Sequence, residues 1–197
     1  MGLGMIDHLS GMDRTVLFDA GQVHDLIREM ANNLYGLIVS HEKVALIGLL
    51  RRGAPIADLL ELELKQHLGL KNILRLDLDI KRYADDLSIL YPKALLRFDE
   101  KVQPVNLSGY TVVLVDDVLF TGNSMLTVLE HVSNKGAAKI YIACLVNRHA
   151  QQVPIDPTIT GAHLEVNSQS IIECNVPPYE PSLKIILASP KHAPAKV

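Results

Sequence analysis

Apolar residues recur at helical spacing in three stretches of the chain. The first stretch, Val23–Ile38, places apolar side chains three and four positions apart and predicts one apolar helix face. The same spacing recurs over Pro55–Leu68 and over Met125–Val132. Gly69 stands just past the second stretch, where a glycine commonly ends a helix. The pattern therefore predicts three packed helices.

Short apolar runs lie between these predicted helices. Val44–Leu50, Thr111–Val115 and Lys139–Val146 are nearly continuous runs, which is typical of strands buried on both faces. Ile73–Ile80 instead alternates apolar and charged residues, which indicates a half-buried strand toward the sheet margin. Strands that alternate with helices favour an α/β fold, here a Rossmann-like parallel sheet flanked by helices.

Two parts of the chain lack a clear period. Lys81–Lys101 mixes charges, tyrosines and one proline, which favours a long loop or a mobile hairpin. Beyond Arg148 only Ala162–Val166 and Lys184–Ala188 resemble strands, and Ser189–Val197 is expected to be a frayed tail. The 197 residues, with no internal repeat, are therefore predicted to form a single domain.

Composition and charge narrow the class of protein. With 48% apolar and 21% charged residues, the chain is expected to be an ordinary soluble globular protein. A net charge of −3 gives no overall attraction to nucleic acid or to a membrane surface. No signal segment or membrane span is evident, so we expect a cytoplasmic protein. Cys144 and Cys174 lack a metal-binding spacing and are predicted to be free thiols.

The strongest candidate for chemistry follows the run at Thr111, in the sequence VLVDDVLFTGNS (Val113–Ser124). Asp116 and Asp117 stand at the carboxyl end of the predicted strand, where parallel α/β sheets bind ligands. Adjacent carboxylates can accept hydrogen bonds from the 2′ and 3′ hydroxyls of a ribose. They can also help to hold a divalent metal through water.

Residues 121–124, TGNS, then open the third predicted helix. Free backbone N–H groups and the positive end of the helix dipole favour a phosphate there, and Gly122 allows a close approach of the backbone. The alternative interpretation is a polar strand end followed by an ordinary helix start. Because the carboxylates and the helix start occur together at one junction, we favour a sugar-phosphate site.

VLVDDVLFTGNS resembles the phosphoribosyl-diphosphate signature of type I phosphoribosyltransferases. It is most similar to the bifunctional pyrimidine-operon regulator and uracil phosphoribosyltransferase family, which has VDDVLYTG at this place. Three further segments resemble that family in the same order: LIGLLRRGAPIADLL (Leu46–Leu60) its pyrophosphate loop, RYADDLS (Arg82–Ser88) its mobile loop, and LVNRHAQQVPI (Leu145–Ile155) its base-side segment. The resemblance implies the type I phosphoribosyltransferase fold, with a flexible loop at 81–101 and a small hood from about residue 148.

The resemblance also implies an activity and a site. The expected reaction transfers the phosphoribosyl group of 5-phosphoribosyl 1-diphosphate to a nucleobase and releases pyrophosphate, with Mg²⁺ as cofactor. Asp116, Asp117 and Arg52 are the predicted catalytic residues, and the two aspartates are expected to bind the metal only indirectly. The predicted substrate-binding residues are Arg51, Gly53, Arg82, Asp85, Asp86, Val118, Leu119, Phe120, Thr121, Gly122, Asn123, Ser124 and Arg148.

Two of these segments have a plainer interpretation from their residues alone. Arg51–Gly53 lies between a predicted strand and a helix, where backbone N–H groups and an arginine can hold pyrophosphate, but a solvated turn is the alternative. Arg82–Ser88 resembles a lid that excludes water, and a charged surface hairpin is the alternative. His149, at the end of a predicted strand, is expected to lie in a solvated loop.

The choice of base depends on one position of the motif. Purine phosphoribosyltransferases of similar fold generally carry an acidic residue just before the motif threonine, whereas this chain has Phe120. Uracil is therefore the leading candidate, with UMP as product, and hypoxanthine or guanine is the alternative. Asn123 and Ala84 replace arginines of the family, and Asn147 replaces an aspartate. These changes predict weaker diphosphate binding and a possible change of base.

A second class of function is an RNA-binding, nucleotide-sensing regulator of pyr mRNA with little catalytic activity. RNA contact depends on phosphate and therefore on a basic surface. The chain has 22 acidic residues against 19 lysines and arginines and no basic run, which makes this the weaker hypothesis. Apolar helices outside the predicted site favour a homodimer.

Overall fold

The computed structural model describes residues 12–41, 43–81, 95–98 and 105–191. Its elements in chain order are β1 (Met12–Phe18), α1 (Ala20–Ile38), β2 (Val44–Leu49), α2 (Gly53–Leu62, continued by a π-helical turn at Glu63–His67), β3 (Ile73–Lys81), β4 (Leu95–Phe98), β5 (Thr111–Leu119), α3 (Asn123–Asn134), β6 (Lys139–Asn147), β7 (Ile159–His163), β8 (Ile171–Asn175) and β9 (Lys184–Pro190).

The larger sheet has the strand order β4-β3-β2-β5-β6-β7 within the described residues. Five of its strands, in the order β3-β2-β5-β6-β7, are parallel, and β4 pairs antiparallel with β3 at one edge. The predicted parallel α/β sheet is therefore confirmed. β3 lies one strand from the margin, in agreement with its alternating pattern.

The central strands are buried on both faces, and this explains their continuous apolar runs. In β5, Val113 faces the core that contains α1 and α2, whereas Leu114 faces the core that contains α3. Leu46 and Ile47 of β2 divide between the two cores in the same way. Alternate side chains of a strand point to opposite faces of the sheet, so each strand must be apolar throughout to pack both layers.

A second sheet has the antiparallel order β1-β9-β8. We call this sheet, together with the turn at residues 176–183, the hood. β8 reaches the carboxyl end of β5, where the Cys174 thiol lies 3.9 Å from the Asp117 carbonyl oxygen. The hood therefore closes over the end of the strand that carries the acidic pair.

The hood differs from the sequence interpretation in its composition. The hood was expected from about residue 148 onward, but the N-terminal strand β1 belongs to it as well. β8 was not predicted, β7 begins at Ile159 and not at Ala162, and β9 extends through Pro190. These are short or half-exposed strands, and their hydrophobic pattern is correspondingly weak.

Several other expectations have a direct outcome. β4 makes a hairpin partner for β3, but most of the predicted loop, including Arg82, Asp85 and Asp86, lies outside the described residues. Cys144 and Cys174 are free, buried thiols, as predicted. In the described ranges no helix has the length and apolar character needed to cross a membrane.

Candidate active site

Asp116 and the start of α3 surround one cleft. The volume of this cleft is about 410 Å³. It is lined by Asp116, Val118, Leu119, Phe120, Thr121, Gly122, Ser124 and Met125. The structure thus brings together most of the predicted site that is contiguous in sequence, although Asp117 and Asn123 are not among the residues that line this cleft.

Asp116 and Asp117 are half-buried at the end of β5, and the Asp117 backbone N–H donates to Asp116 Oδ1 at 2.9 Å. Burial raises the pKa of Asp116 well above its usual value, and the neighbouring Asp117 carboxylate raises it further. Burial also raises the pKa of Asp117, although hydrogen bonds and the charge of Arg52 oppose this shift. Hydroxyl donors or a cation would stabilise the ionised pair.

Carboxylate oxygens of this kind fit magnesium, which prefers hard oxygen ligands. No group of three or more histidine, cysteine, aspartate or glutamate side chains suited to a metal occurs among the described residues. A magnesium ion at this cleft would therefore take further ligands from water or from a bound phosphate compound. Indirect binding through Asp116 and Asp117 stays a prediction.

The turn before α3 depends on Gly122. Its φ is +81°, and a Cβ at this position would lie 2.8 Å from Cγ2 of Val153. Gly122 also has no side chain with which to cap α3, so the first N–H groups of the helix are not occupied by a capping residue. The side chain of Asn123 donates to Thr121 Oγ1 at 3.4 Å. This geometry suits an anion at the helix start.

The loop Arg51–Gly53 lies beside the acidic pair because α2 packs closely on β5. A Cβ on Gly53 would be 2.3 Å from the Val115 carbonyl oxygen and 3.0 Å from the Cα of Asp116. Only glycine allows this contact. The Leu50–Arg51 peptide at the entrance of the loop is cis.

Arg52 has a partner that the sequence did not indicate. Its Nε lies 3.2 Å from Oε1 of Glu180, and its Nη2 also donates to that oxygen. This hydrogen bond lowers the pKa of Glu180 and raises that of Arg52. The two residues are separated by 128 positions, so no local pattern could have paired them.

Arg148, directly after β6, is buried behind Phe120. The Arg148 guanidinium carbon lies 4.3 Å from the centre of the Phe120 ring, and Nη2 donates to the Ser170 carbonyl oxygen at 3.0 Å. Phe120 itself remains 44% exposed at the cleft. Arg148 is therefore placed to support the ring, and burial lowers the pKa of its guanidinium.

The segment after β6 carries a further polar network. Asn147 is buried, and its Oδ1 accepts hydrogen bonds from the His149 N–H at 3.0 Å and from Gln151 Nε2 at 2.6 Å. Nε2 of His149 lies 2.7 Å from Nδ1 of His163. His149 is thus paired with the imidazole of His163, a contact that the sequence did not predict.

Comparisons with known proteins agree with this fold. The Phosphoribosyl transferase domain model matches residues 15–180. The chain therefore belongs to the type I phosphoribosyltransferase family.

Within this class the chain is similar to proteins named bifunctional protein PyrR. The PyrR of Haemophilus influenzae (strain PittEE) is 30% identical over 156 residues, which cover 76% of this chain and 87% of the relative. The PyrR of Synechococcus sp. (strain JA-2-3B'a(2-13)) is 30% identical over 177 residues, which cover 89% of this chain and 95% of the relative.

Solved structures share the fold at lower sequence identity. The hypoxanthine phosphoribosyltransferase of Trypanosoma cruzi has a TM-score of 0.69 at 14% identity and covers 90% of this chain and 97% of its own. A hypoxanthine-guanine phosphoribosyltransferase of Bacillus anthracis has a TM-score of 0.67 at 16% identity, with 88% and 97% covered.

Proposed function

We propose that this protein transfers the phosphoribosyl group of 5-phosphoribosyl 1-diphosphate to a nucleobase, with uracil as the first candidate, and releases pyrophosphate. One observation carries the proposal. Asp116 shares a cleft with the uncapped start of α3, the adjacent Asp117 carboxyl interacts with it, and the charge of Arg52 acts on Asp117. Ribose hydroxyls, a 5′-phosphate and a diphosphate each find a chemically matched group in this arrangement.

The reaction requires a nitrogen of the base to form a bond to C1 of the ribose while the bond from C1 to the diphosphate oxygen breaks. Positive charge then develops on the sugar ring. Asp116 and Asp117 would hold the ribose hydroxyls and stabilise this charge, and the N–H groups at the start of α3 would fix the 5′-phosphate. Arg52 would bind the leaving pyrophosphate. Magnesium, when bound with the diphosphate, supplies charge neutralisation at the leaving group.

The preference for uracil rests on Phe120 and on the similarity to PyrR proteins. The exposed ring of Phe120 offers a planar apolar surface at the cleft, and Arg148 packs behind it. Position 120 therefore lacks the acidic side chain that purine phosphoribosyltransferases generally carry there. A purine base remains the alternative substrate.

Steady-state turnover with uracil, hypoxanthine and guanine, each with magnesium and 5-phosphoribosyl 1-diphosphate, tests the proposal. We expect UMP and pyrophosphate to form in equal amounts with uracil, and slower or no turnover with the purines. No release of pyrophosphate with any of these bases would reject the transferase proposal. Salt-dependent binding of RNA without turnover would favour the regulator instead.

The cytoplasmic location and the homodimer belong to this proposal as well. Val39 and Leu62, at the ends of α1 and α2, are 46% and 45% exposed, which suits a contact with a second copy. Sedimentation of the purified chain at micromolar concentration should give the mass of a dimer.

A further inference from the structure

Glu180 holds the guanidinium of Arg52 along one edge. Nε of Arg52 lies 3.2 Å from Oε1 and 3.3 Å from Oε2, and Nη2 donates to Oε1 at 2.5 Å. A carboxylate that contacts the Nε and Nη2 groups together fixes both the position and the plane of a guanidinium. The contact joins the hood to the loop before α2.

Glu180 is the fixed member of this pair. Its Oε2 also accepts a hydrogen bond from the Val176 N–H at 2.9 Å, and the Glu180 N–H donates to the Val176 carbonyl oxygen at 3.2 Å. Only 19% of the Glu180 side chain is exposed, against 44% for Arg52. The turn therefore sets where the carboxylate lies, and the longer arginine side chain is the partner that is held.

The opposite end of the Arg52 guanidinium remains available. Nη1 makes no hydrogen bond to the described part of the chain, and an arginine Nη1 carries two N–H donors. Arg52 is also close enough to Asp117 for its charge to lower the pKa of that carboxyl. We propose that Glu180 is a positioning residue, which orients Arg52 so that its free donors face the diphosphate; this inference rests on the proposed function.

A competing role for Glu180 makes the opposite prediction. If its carboxylate merely occupies Arg52 until a diphosphate displaces it, removal of Glu180 strengthens diphosphate binding. Removal of a negative charge near an anion site also strengthens binding on electrostatic grounds alone. A loss of affinity on removal of Glu180 therefore points specifically to the orientation of Arg52.

Isothermal titration of Glu180→Ala with inorganic pyrophosphate in the presence of magnesium tests this inference, and ribose 5-phosphate serves as a second ligand. We expect pyrophosphate to bind about tenfold more weakly, because without Glu180 the Arg52 side chain loses conformational entropy when the ligand binds. Ribose 5-phosphate should change by less than about twofold, because its phosphate binds at the start of α3. If Glu180 only stabilised the fold, its removal would weaken the binding of both ligands.

Glu173→Ala is the matched control, because Glu173 makes an equivalent ion pair with Arg14 within the hood, at 3.2 Å. It should leave pyrophosphate binding unchanged. The effect of Glu180→Ala should also vanish in an Arg52→Ala background, because the two residues act through one contact.

Unchanged or tighter pyrophosphate binding by Glu180→Ala, or an equal loss of ribose 5-phosphate, overturns the inference for Glu180. If the unaltered protein binds pyrophosphate but the base panel gives no turnover, the proposed transfer reaction fails and the role of Glu180 is still decided by the titration. If the unaltered protein binds no pyrophosphate, the role of Arg52 and that of Glu180 both fail.

Discussion

Asp116 and Asp117 lie half-buried near the end of β5, and their carboxyl groups interact. Such a pair is costly in the unliganded protein, because burial and mutual repulsion disfavour two negative charges. A ribose bound as proposed would supply two hydroxyl donors to these carboxylates. The residues that are proposed to bind the sugar are therefore also residues that reduce stability without it.

The substitution Asp116→Asn should separate these two effects. Loss of a charged acceptor should weaken binding of magnesium 5-phosphoribosyl 1-diphosphate by about tenfold or more. The unliganded variant should be more stable than the wild type by about 1 kcal/mol at pH 8, or about 3 °C in Tm. Titration calorimetry and thermal unfolding measure the two quantities.

The gain in stability should depend on pH. Unfolded, the Asp116 carboxyl ionises near pH 3.8, and the folded pKa is higher. Below pH 3.8 the Asp116 carboxyl is protonated in both the folded and the unfolded protein, so the stabilities of the wild type and of Asp116→Asn differ least. As pH rises through the folded pKa, the wild type loses stability and the variant does not. A stability difference between the wild type and Asp116→Asn that stays constant over this pH range would contradict the prediction.

At the level of elements, the position of α2 follows from one glycine. Gly53 allows the first turn of α2 to lie against the backbone of Val115 and Asp116, and this contact places the arginine loop beside the acidic pair. A larger residue must push the helix away from the sheet. The distance between the two halves of the candidate site therefore depends on Gly53.

Gly53→Ala should destabilise the protein by about 2 kcal/mol and weaken pyrophosphate binding, because its Cβ would lie 2.3 Å from a backbone oxygen. Gly36→Ala is the matched control within α1, where a Cβ meets nothing within 4 Å. The control should stabilise the protein by about 0.5 to 1 kcal/mol, through helix propensity. Denaturant unfolding measures both changes, and a neutral effect of Gly53→Ala would show that the helix can move freely.

The elements that the sequence predicted well are those whose burial is uniform. β2, β5 and β6 contain continuous apolar runs because both faces of the sheet are covered. The predicted bounds of β2 and β6 fall within one residue of those observed, whereas β5 continues four residues past the predicted end at Val115, through Leu119. β1 is a strand with mostly exposed side chains at the edge of the hood, so its residues carry little periodic signal. Local pattern identifies a buried strand but not an edge strand whose pairing comes from a distant segment.

The same distinction applies to the candidate site. Val113–Ser124 could be interpreted from sequence because its carboxylates, glycine and hydroxyls are contiguous. The contact between Arg52 and Glu180 and the contact between Arg148 and Ser170 join segments that only the folded chain brings together. Both contacts connect the part of the molecule around the larger sheet to the part around the hood. The contacts that the sequence did not predict are therefore those between these two parts.

Arg148 joins three parts of the molecule, and replacement of its side chain should affect two of them. Its backbone N–H donates to the Leu119 carbonyl oxygen, its guanidinium stacks on Phe120, and Nη2 reaches Ser170 before β8. Lysine cannot reproduce a planar group that stacks and donates sideways, so Arg148→Lys should cost about 2 kcal/mol of stability and raise the KM for the nucleobase. Arg28→Lys, on the exposed face of α1, should change stability by less than about 0.5 kcal/mol. Thermal unfolding and steady-state kinetics measure these effects, and equal behaviour of the two variants would mean that Arg148 does not hold Phe120 and the hood together.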